Sequence, residues 1–149
     1  MLLIGTKNFG TQTVLADGLV NLGTTYRKFC KKNRCGTPAF SVTSNGVALQ
    51  HEGIYHVTGT FVGSGSVAED LTIQLFINGV AVDGALSTQT ITTADTEIRT
   101  FVIDYYVKVD SDCVLGLNSV VAQSISFVNT SATADLTLTS AIVNVEKVV

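Results

Sequence analysis

Charge is what this sequence has least of. Lys, Arg, Asp and Glu make up 14% of its 149 residues, against roughly 25% in a typical soluble domain. Two explanations stay open: a low-charge surface covered by a partner, or a β-sandwich whose outer faces use Thr and Ser. No apolar run approaches the roughly 20 residues that span a bilayer, so no membrane partner is expected. Met1-Leu2-Leu3-Ile4 starts apolar but meets Gly5 and Lys7 at once. No secretion signal is expected, and synthesis in a cytoplasm is. The sequence has no tryptophan and one proline, Pro38, which falls where a strand begins and its missing N–H does little harm.

Cysteine is scarce too. Cys30, Cys35 and Cys113 are an odd set, which argues against a disulfide framework. They also fall short of the roughly four ligands of a structural zinc site. Buried or half-buried thiols are the expectation, with a Cys30–Cys35 disulfide left open. Cofactors and metals are expected to be absent.

What is present reads as strand. Leu71, Ile73, Leu75 and Ile77 alternate with Thr72, Gln74 and Phe76, a period of two with one strongly apolar face. Asn78-Gly79 follows as a hairpin turn, and Asp83-Gly84 as a second turn. Residues 98–109 place Phe101, Ile103, Tyr105, Val107 and Val109 on one face. Residues 53–62 place Tyr55, Val57 and Phe61 together and close on a Gly63-Ser64-Gly65-Ser66 loop. Strands are also expected at 39–43 and 47–50 around an Asn45-Gly46 turn, at 114–118, and at 124–128. In the last strand, 135–147, apolar positions change phase between Leu138 and Ala141, which predicts a bulge.

Residues 15–29 have Leu15, Leu19, Leu22, Tyr26 and Phe29 near helical spacing, but Gly18, Gly23, Thr24 and Thr25 oppose a helix. An extended N-terminal arm is expected instead. Eight to ten short strands at close spacing imply an all-β sandwich or jelly roll. The expected organisation is a basic arm or anchor over 1–35 and a jelly-roll domain over 36–149.

Charge divides along the same line. Residues 1–35 hold six cations against Asp17, giving +5; residues 36–149 hold three cations against eleven carboxylates, giving −8. Arg27, Lys28, Lys31, Lys32 and Arg34 lie within eight residues. They are the candidate partner-binding site: a dock for an acidic partner. A solvated turn is the competing reading, and a phosphate-tracking surface using Tyr26 and Phe29 stands third. An acidic body opposes non-specific nucleic-acid binding.

No catalytic set assembles. His51 and His56 would point to opposite faces of one strand, and neither a Gly-x-Ser-x-Gly elbow nor a His-Glu-x-x-His helix occurs. No enzymatic activity is expected. Asp110-x-Asp112 lacks the glycine and terminal glutamate of a calcium loop and reads as a strand-end turn. Asn129-Thr130-Ser131 matches a glycosylation acceptor, which carries no meaning without secretion.

Three segments carry a resemblance. Gly53-Ile54-Tyr55-His56-Val57 resembles the glycine-any-tyrosine strand of tumour-necrosis-factor-like and complement-type jelly rolls. Leu71 to Gly79 resembles their strand ending in asparagine-glycine. Val107-Lys108-Val109-Asp110 followed by Val114-Leu115 resembles their valine-rich strand, acidic turn and apolar strand. Virion proteins of tailed bacteriophages are similar, with a basic arm before a Gly-Thr-Pro stretch like Gly36-Thr37-Pro38. A collagen-like stalk is missing here, which sets the chain apart from vertebrate members.

The resemblance implies a homotrimer and a structural role in a virion, as a capsid decoration or head-fibre-type protein contacting the major capsid protein or another virion protein. A host-surface or carbohydrate-binding module at a tail or fibre tip is the alternative, and a soluble trimeric signalling ligand the third. Val102 and Tyr106, apolar groups on the second face of the 98–109 strand, are the trimer-interface candidates. Packing beneath a long loop is the competing account of both.

A purified sample should carry no stoichiometric zinc by elemental analysis. Cys113 should resist a thiol reagent until the chain unfolds, while Cys30 and Cys35 should react unless bonded to each other.

Overall fold

The computed structural model describes residues 2–30, 37–112, 119–120 and 122–149. None of these is helical. The strands are β1 (Leu2–Asn8), β2 (Gln12–Val14), β3 (Thr24–Phe29), β4 (Phe40–Thr43), β5 (Gly46–Leu49), β6 (Gly53–Gly65) and β7 (Asp70–Ile77). They continue with β8 (Val80–Thr90), β9 (Arg99–Val109), β10 (Ser111–Asp112), β11 (Ser119–Val120), β12 (Gln123–Asn129) and β13 (Leu136–Lys147). Sheet A runs β3-β1-β13-β6-β9, with β2 also on β13; sheet B runs β4-β5-β12-β7-β8. All the pairings are antiparallel. The β4–β5 and β7–β8 hairpins stay within sheet B, while β5 to β6, β6 to β7 and β8 to β9 cross between sheets. This is a jelly-roll sandwich.

Alternation places the core as the sequence predicts. Tyr55, Val57 and Phe61 of β6, with Phe101, Ile103 and Val107 of β9, face Leu71, Ile73 and Leu75 of β7 and Ile125 and Phe127 of β12. The Phe61 and Phe127 rings meet across the sheets at 5.0 Å, tilted by 57°. Gly59 makes room for them, since a Cβ there would sit 2.8 Å from the Phe61 ring and 3.1 Å from that of Phe127. Tyr55 packs edge-on against Phe40 and donates its hydroxyl to the His51 carbonyl at 2.7 Å. Burial pushes its phenol up to about 12.

The N-terminal segment is extended, and its strands join sheet A. β1 sits between β3 and β13, and β2 continues on β13. Residues 17–20 cross to sheet B, where Asp17 and Val20 donate their N–H groups to Asn129 and Phe127. Ile4, Val14, Val20 and Leu22 are buried in the core, and their apolar area ties the segment down. Residues before Gly36 therefore supply strands to the jelly roll that follows them.

Four local expectations change. Gly63–Gly65 is no loop: it extends β6 against Leu136–Leu138. Its glycine permits the approach, because a Cβ on Gly63 would lie 2.2 Å from the Thr137 carbonyl. Asp83-Gly84 is a bulge within β8, with Gly84 at φ 80°, where the β7 register shifts between Gln74 and Phe76. The β4–β5 turn is Ser44-Asn45, with Gly46 already paired to Thr43. Asp110-Ser111-Asp112 does not simply end a strand, since Ser111–Asp112 pairs with Ser119–Val120. The 114–118 strand lies outside the described residues. Asn78-Gly79 does turn the chain, at φ 51° and 77°, and the predicted bulge in β13 falls between Leu138 and Ser140.

Asn129, read from sequence only as part of an acceptor motif, is fully buried. Its amide donates to the carbonyls of Val14 and Ala134 at 3.0 and 2.9 Å, and its Oδ1 accepts the Ser131 N–H. It clamps β2 to the loop after β12. Nearby, Glu69 accepts the N–H groups of Thr133 and Ala134, which hold its carboxyl below the usual range.

Phe127→Ala should cost about 3–5 kcal/mol, the range for emptying a large aromatic from a packed core. A urea titration reads it as a lowered midpoint with an unchanged slope.

Candidate assembly surface

The outer face of sheet A gathers what sequence analysis singled out. On β9, Val102, Asp104, Tyr106 and Lys108 point outward; on β6, Ile54, His56, Thr58 and Thr60 do. Register sets His56 opposite Tyr106, Thr58 opposite Asp104, and Thr60 opposite Val102. Ile142, Asn144 and Glu146 of β13 continue these rows.

Val102 and Tyr106 are each 58% exposed, so the loop-packing alternative does not hold within the described residues. Ile98, just before β9, is exposed as well, while Leu86 is exposed on the outer face of sheet B, in line with Thr88. β8 borders β9, with the Val102 N–H donating to Ser87 Oγ at 3.3 Å. His56 stacks on Tyr106 at 4.7 Å and 17° and pairs its Nε2 with Asp104 Oδ1 at 2.7 Å. That pair was not foreseen. It follows from the β6–β9 register, which no local pattern fixes.

The other end of the face is cationic and aromatic. The pairing of β1 with β3 shifts at Gly5/Thr6 and leaves Tyr26 without an opposite residue. The Tyr26 ring folds over Gly5, where a Cβ would come within 2.8 Å of it, and its hydroxyl donates to Asn144 Oδ1 at 2.6 Å. The Lys7 ammonium lies 5.6 Å from the Phe9 ring and 5.7 Å from that of Tyr26, and the Arg27 guanidinium 5.8 Å from Tyr26.

Ion pairs among the described residues are His56–Asp104, Arg99–Glu97 and Lys108–Asp110. Lys7, Arg27 and Lys28 have no carboxylate within reach among those residues. Of the predicted partner-binding set, Arg27 and Lys28 are exposed on β3; Lys31, Lys32 and Arg34 lie outside the described residues, as do Cys35 and Cys113. Cys30 is half-buried, its Sγ accepting the Ala39 N–H at 3.0 Å. His51 precedes β6 and meets the Thr37 carbonyl, well apart in role from His56. Asp110 is held by Lys108. No cluster of three potential metal ligands occurs among the described residues.

Sheet B presents a different outer face. Ser41, Thr43, Ser124, Ser126, Thr72 and Thr88 occupy its outward positions, with Thr72 and Thr88 hydroxyls 2.9 Å apart. Hydroxyl groups account for the missing charge there, and apolar groups on sheet A.

No protein-family profile matches the chain, and no curated protein matches it in sequence. Solved structures do match in fold. The globular domain of zebrafish complement 1qA protein superposes with a TM-score of 0.65 at 8% identity, covering 100% of this chain and 98% of that one. Murine APRIL at pH 5.0 gives 0.63 at 8%, covering 97% and 98%. PRD1 vertex protein P5 gives 0.50 at 16%, covering 97% and 93%. The fold is a jelly roll of the tumour-necrosis-factor and complement 1q type.

Gly5→Ala should expel the Tyr26 ring and cost about 1–3 kcal/mol by overpacking. Tyr26→Phe, which loses only the bond to Asn144, should cost about 0.5–1.5 kcal/mol. Urea midpoints distinguish the two.

Proposed function

We propose that this chain is a non-enzymatic structural protein of a tailed-phage virion. In this reading it is a homotrimer that decorates the capsid or builds a head-fibre-type projection, docking through its basic N-terminal region on the major capsid protein or another virion protein. One observation carries it. A single sheet face holds solvent-facing Val102 and Tyr106 at one edge and, at the other, Lys7 and Arg27, which have no carboxylate partner among the described residues.

Exposed apolar side chains in register on one face favour burial against another surface. Copies related by a threefold axis bury that face while leaving the hydroxyl-rich sheet B in water, and closed symmetry stops growth at three. The fold likeness to PRD1 vertex protein P5 supports a virion setting. Trimerisation triples the cations offered to a lattice, so weak contacts act together. The −8 body favours a protein partner over nucleic acid, and no membrane is part of the reading.

Light scattering after gel filtration should give three times the 15.7 kDa protomer mass; a concentration-independent monomer would sink the architecture. Replacing Val102 and Tyr106 together by Glu should yield a folded monomer. Reversing Arg27, Lys28, Lys31 and Lys32 to Glu should preserve the trimer and abolish its incorporation into particles. It should also remove the salt dependence of binding, since exposed charges are screened over about 10 Å at 0.1 M salt. Normal decoration by the reversed protein would reduce the cluster to a solvated turn.

A further inference from the structure

We propose that the outer edge of β3 receives an extended, acidic segment of a partner protein as an added strand. The inference rests on the docking role argued above and gives that role a mechanism.

Among the described residues β3 is the last strand of sheet A and pairs with β1 alone. All six of its residues are exposed, and no described residue forms a backbone hydrogen bond to its far side. In an antiparallel ladder every second residue turns its N–H and C=O away from the neighbour it is paired with. β3 therefore offers a row of strong donors and acceptors that an extended chain satisfies. The opposite edge of sheet A differs, because β9 is bordered by β8.

Charge selects the occupant. Arg27 and Lys28 are consecutive, so they project to opposite faces, and Lys7 of β1 adds a third cation beside Tyr26. None has a carboxylate within 4 Å among the described residues. An acidic side chain on either face of an added strand meets one of them. Stacking on Tyr26 and Phe9 already restricts Lys7 and Arg27, which lowers the entropy lost on binding. Phe29, 64% exposed, supplies an apolar footing.

Lysines on an edge ordinarily repel unselected strands. Here the same cations repel basic segments and attract acidic ones, leaving neutral ones without the charge contribution. The register shift at Tyr26 breaks the regular edge, so the added strand is short, centred on Arg27–Phe29.

The test uses the full chain and a fluorescein-labelled eight-residue peptide alternating Glu and Thr, read by anisotropy at low salt. Two further versions are N-methylated, one on odd residues and one on even. The unmodified peptide should bind and protect β3 amides from hydrogen exchange. One methylated version should bind at least tenfold more weakly and the other normally, because only one set of N–H groups faces β3. Arg27→Glu with Lys28→Glu should weaken binding at least tenfold while leaving the thermal transition unchanged.

Absent binding, equal binding of both methylated peptides, or binding without β3 protection each overturns strand addition. If charge reversal still abolishes particle incorporation in any of those cases, the docking role stands without this mechanism. If incorporation survives reversal while one methylated peptide alone fails, strand addition stands and the docking role falls.

Discussion

β13 is the strand on which the rest depends. It is bonded to β6 over eleven residue pairs on one side and to β1 and β2 on the other. Its inward residues Leu136, Leu138, Ala141, Val143 and Val145 are buried across the phase change. The bulge between Leu138 and Ser140 keeps them so. A strand that slipped by one residue without it would turn half of its apolar set to water. The N-terminal strands and the long central strand thus both take their places from β13, a non-local closure that builds the described N-terminal residues into the sheets.

Much of this was legible in the residues. Period-two alternation at 71–77, 53–62 and 98–109 gave the inward faces correctly, because burial on one face is what alternation encodes. Asn78-Gly79 turned as its left-handed preference requires. The misreadings share a cause. Glycine marks both turns and close backbone approaches, and only the neighbouring strand tells them apart. Gly63 looked like a loop because the Thr137 carbonyl that needs its missing side chain lies far along the chain. Gly84 looked like a turn because the β7 register that makes it a bulge is not written locally. Asn129 looked like an acceptor motif, while its three partners come from β2 and the following loop.

The assembly surface was half legible for the same reason. Val102 and Tyr106 stand out because they break the apolar-in, polar-out rule on β9. His56 and Asp104 follow that rule as polar outward residues, and only the β6–β9 register makes them a pair. Lys7 carried no local signal of joining the 27–34 cluster. It enters through β1, folded between β3 and β13, a position that burial of Ile4, Val20 and Leu22 secures.

The low charge content divides into two physical solutions. On sheet B, Ser and Thr bond to water at no cost in repulsion between like charges, and the exposed apolar groups Val80 and Leu86 are confined to its edge strand β8. On sheet A, Val102 and Tyr106 are exposed among Thr58, Thr60 and Asp104 at one end, and Lys7 and Arg27 lie beside Tyr26 and Phe9 at the other. Such a surface loses apolar hydration only by contact and loses its uncompensated charge only against acid. Those two demands sit at opposite ends of one sheet, so a single partner surface need not meet both. A second copy of the chain suits the apolar end around Val102 and Tyr106. An acidic partner suits the β3 end, and the strands β1, β13 and β6 separate the two ends across the sheet.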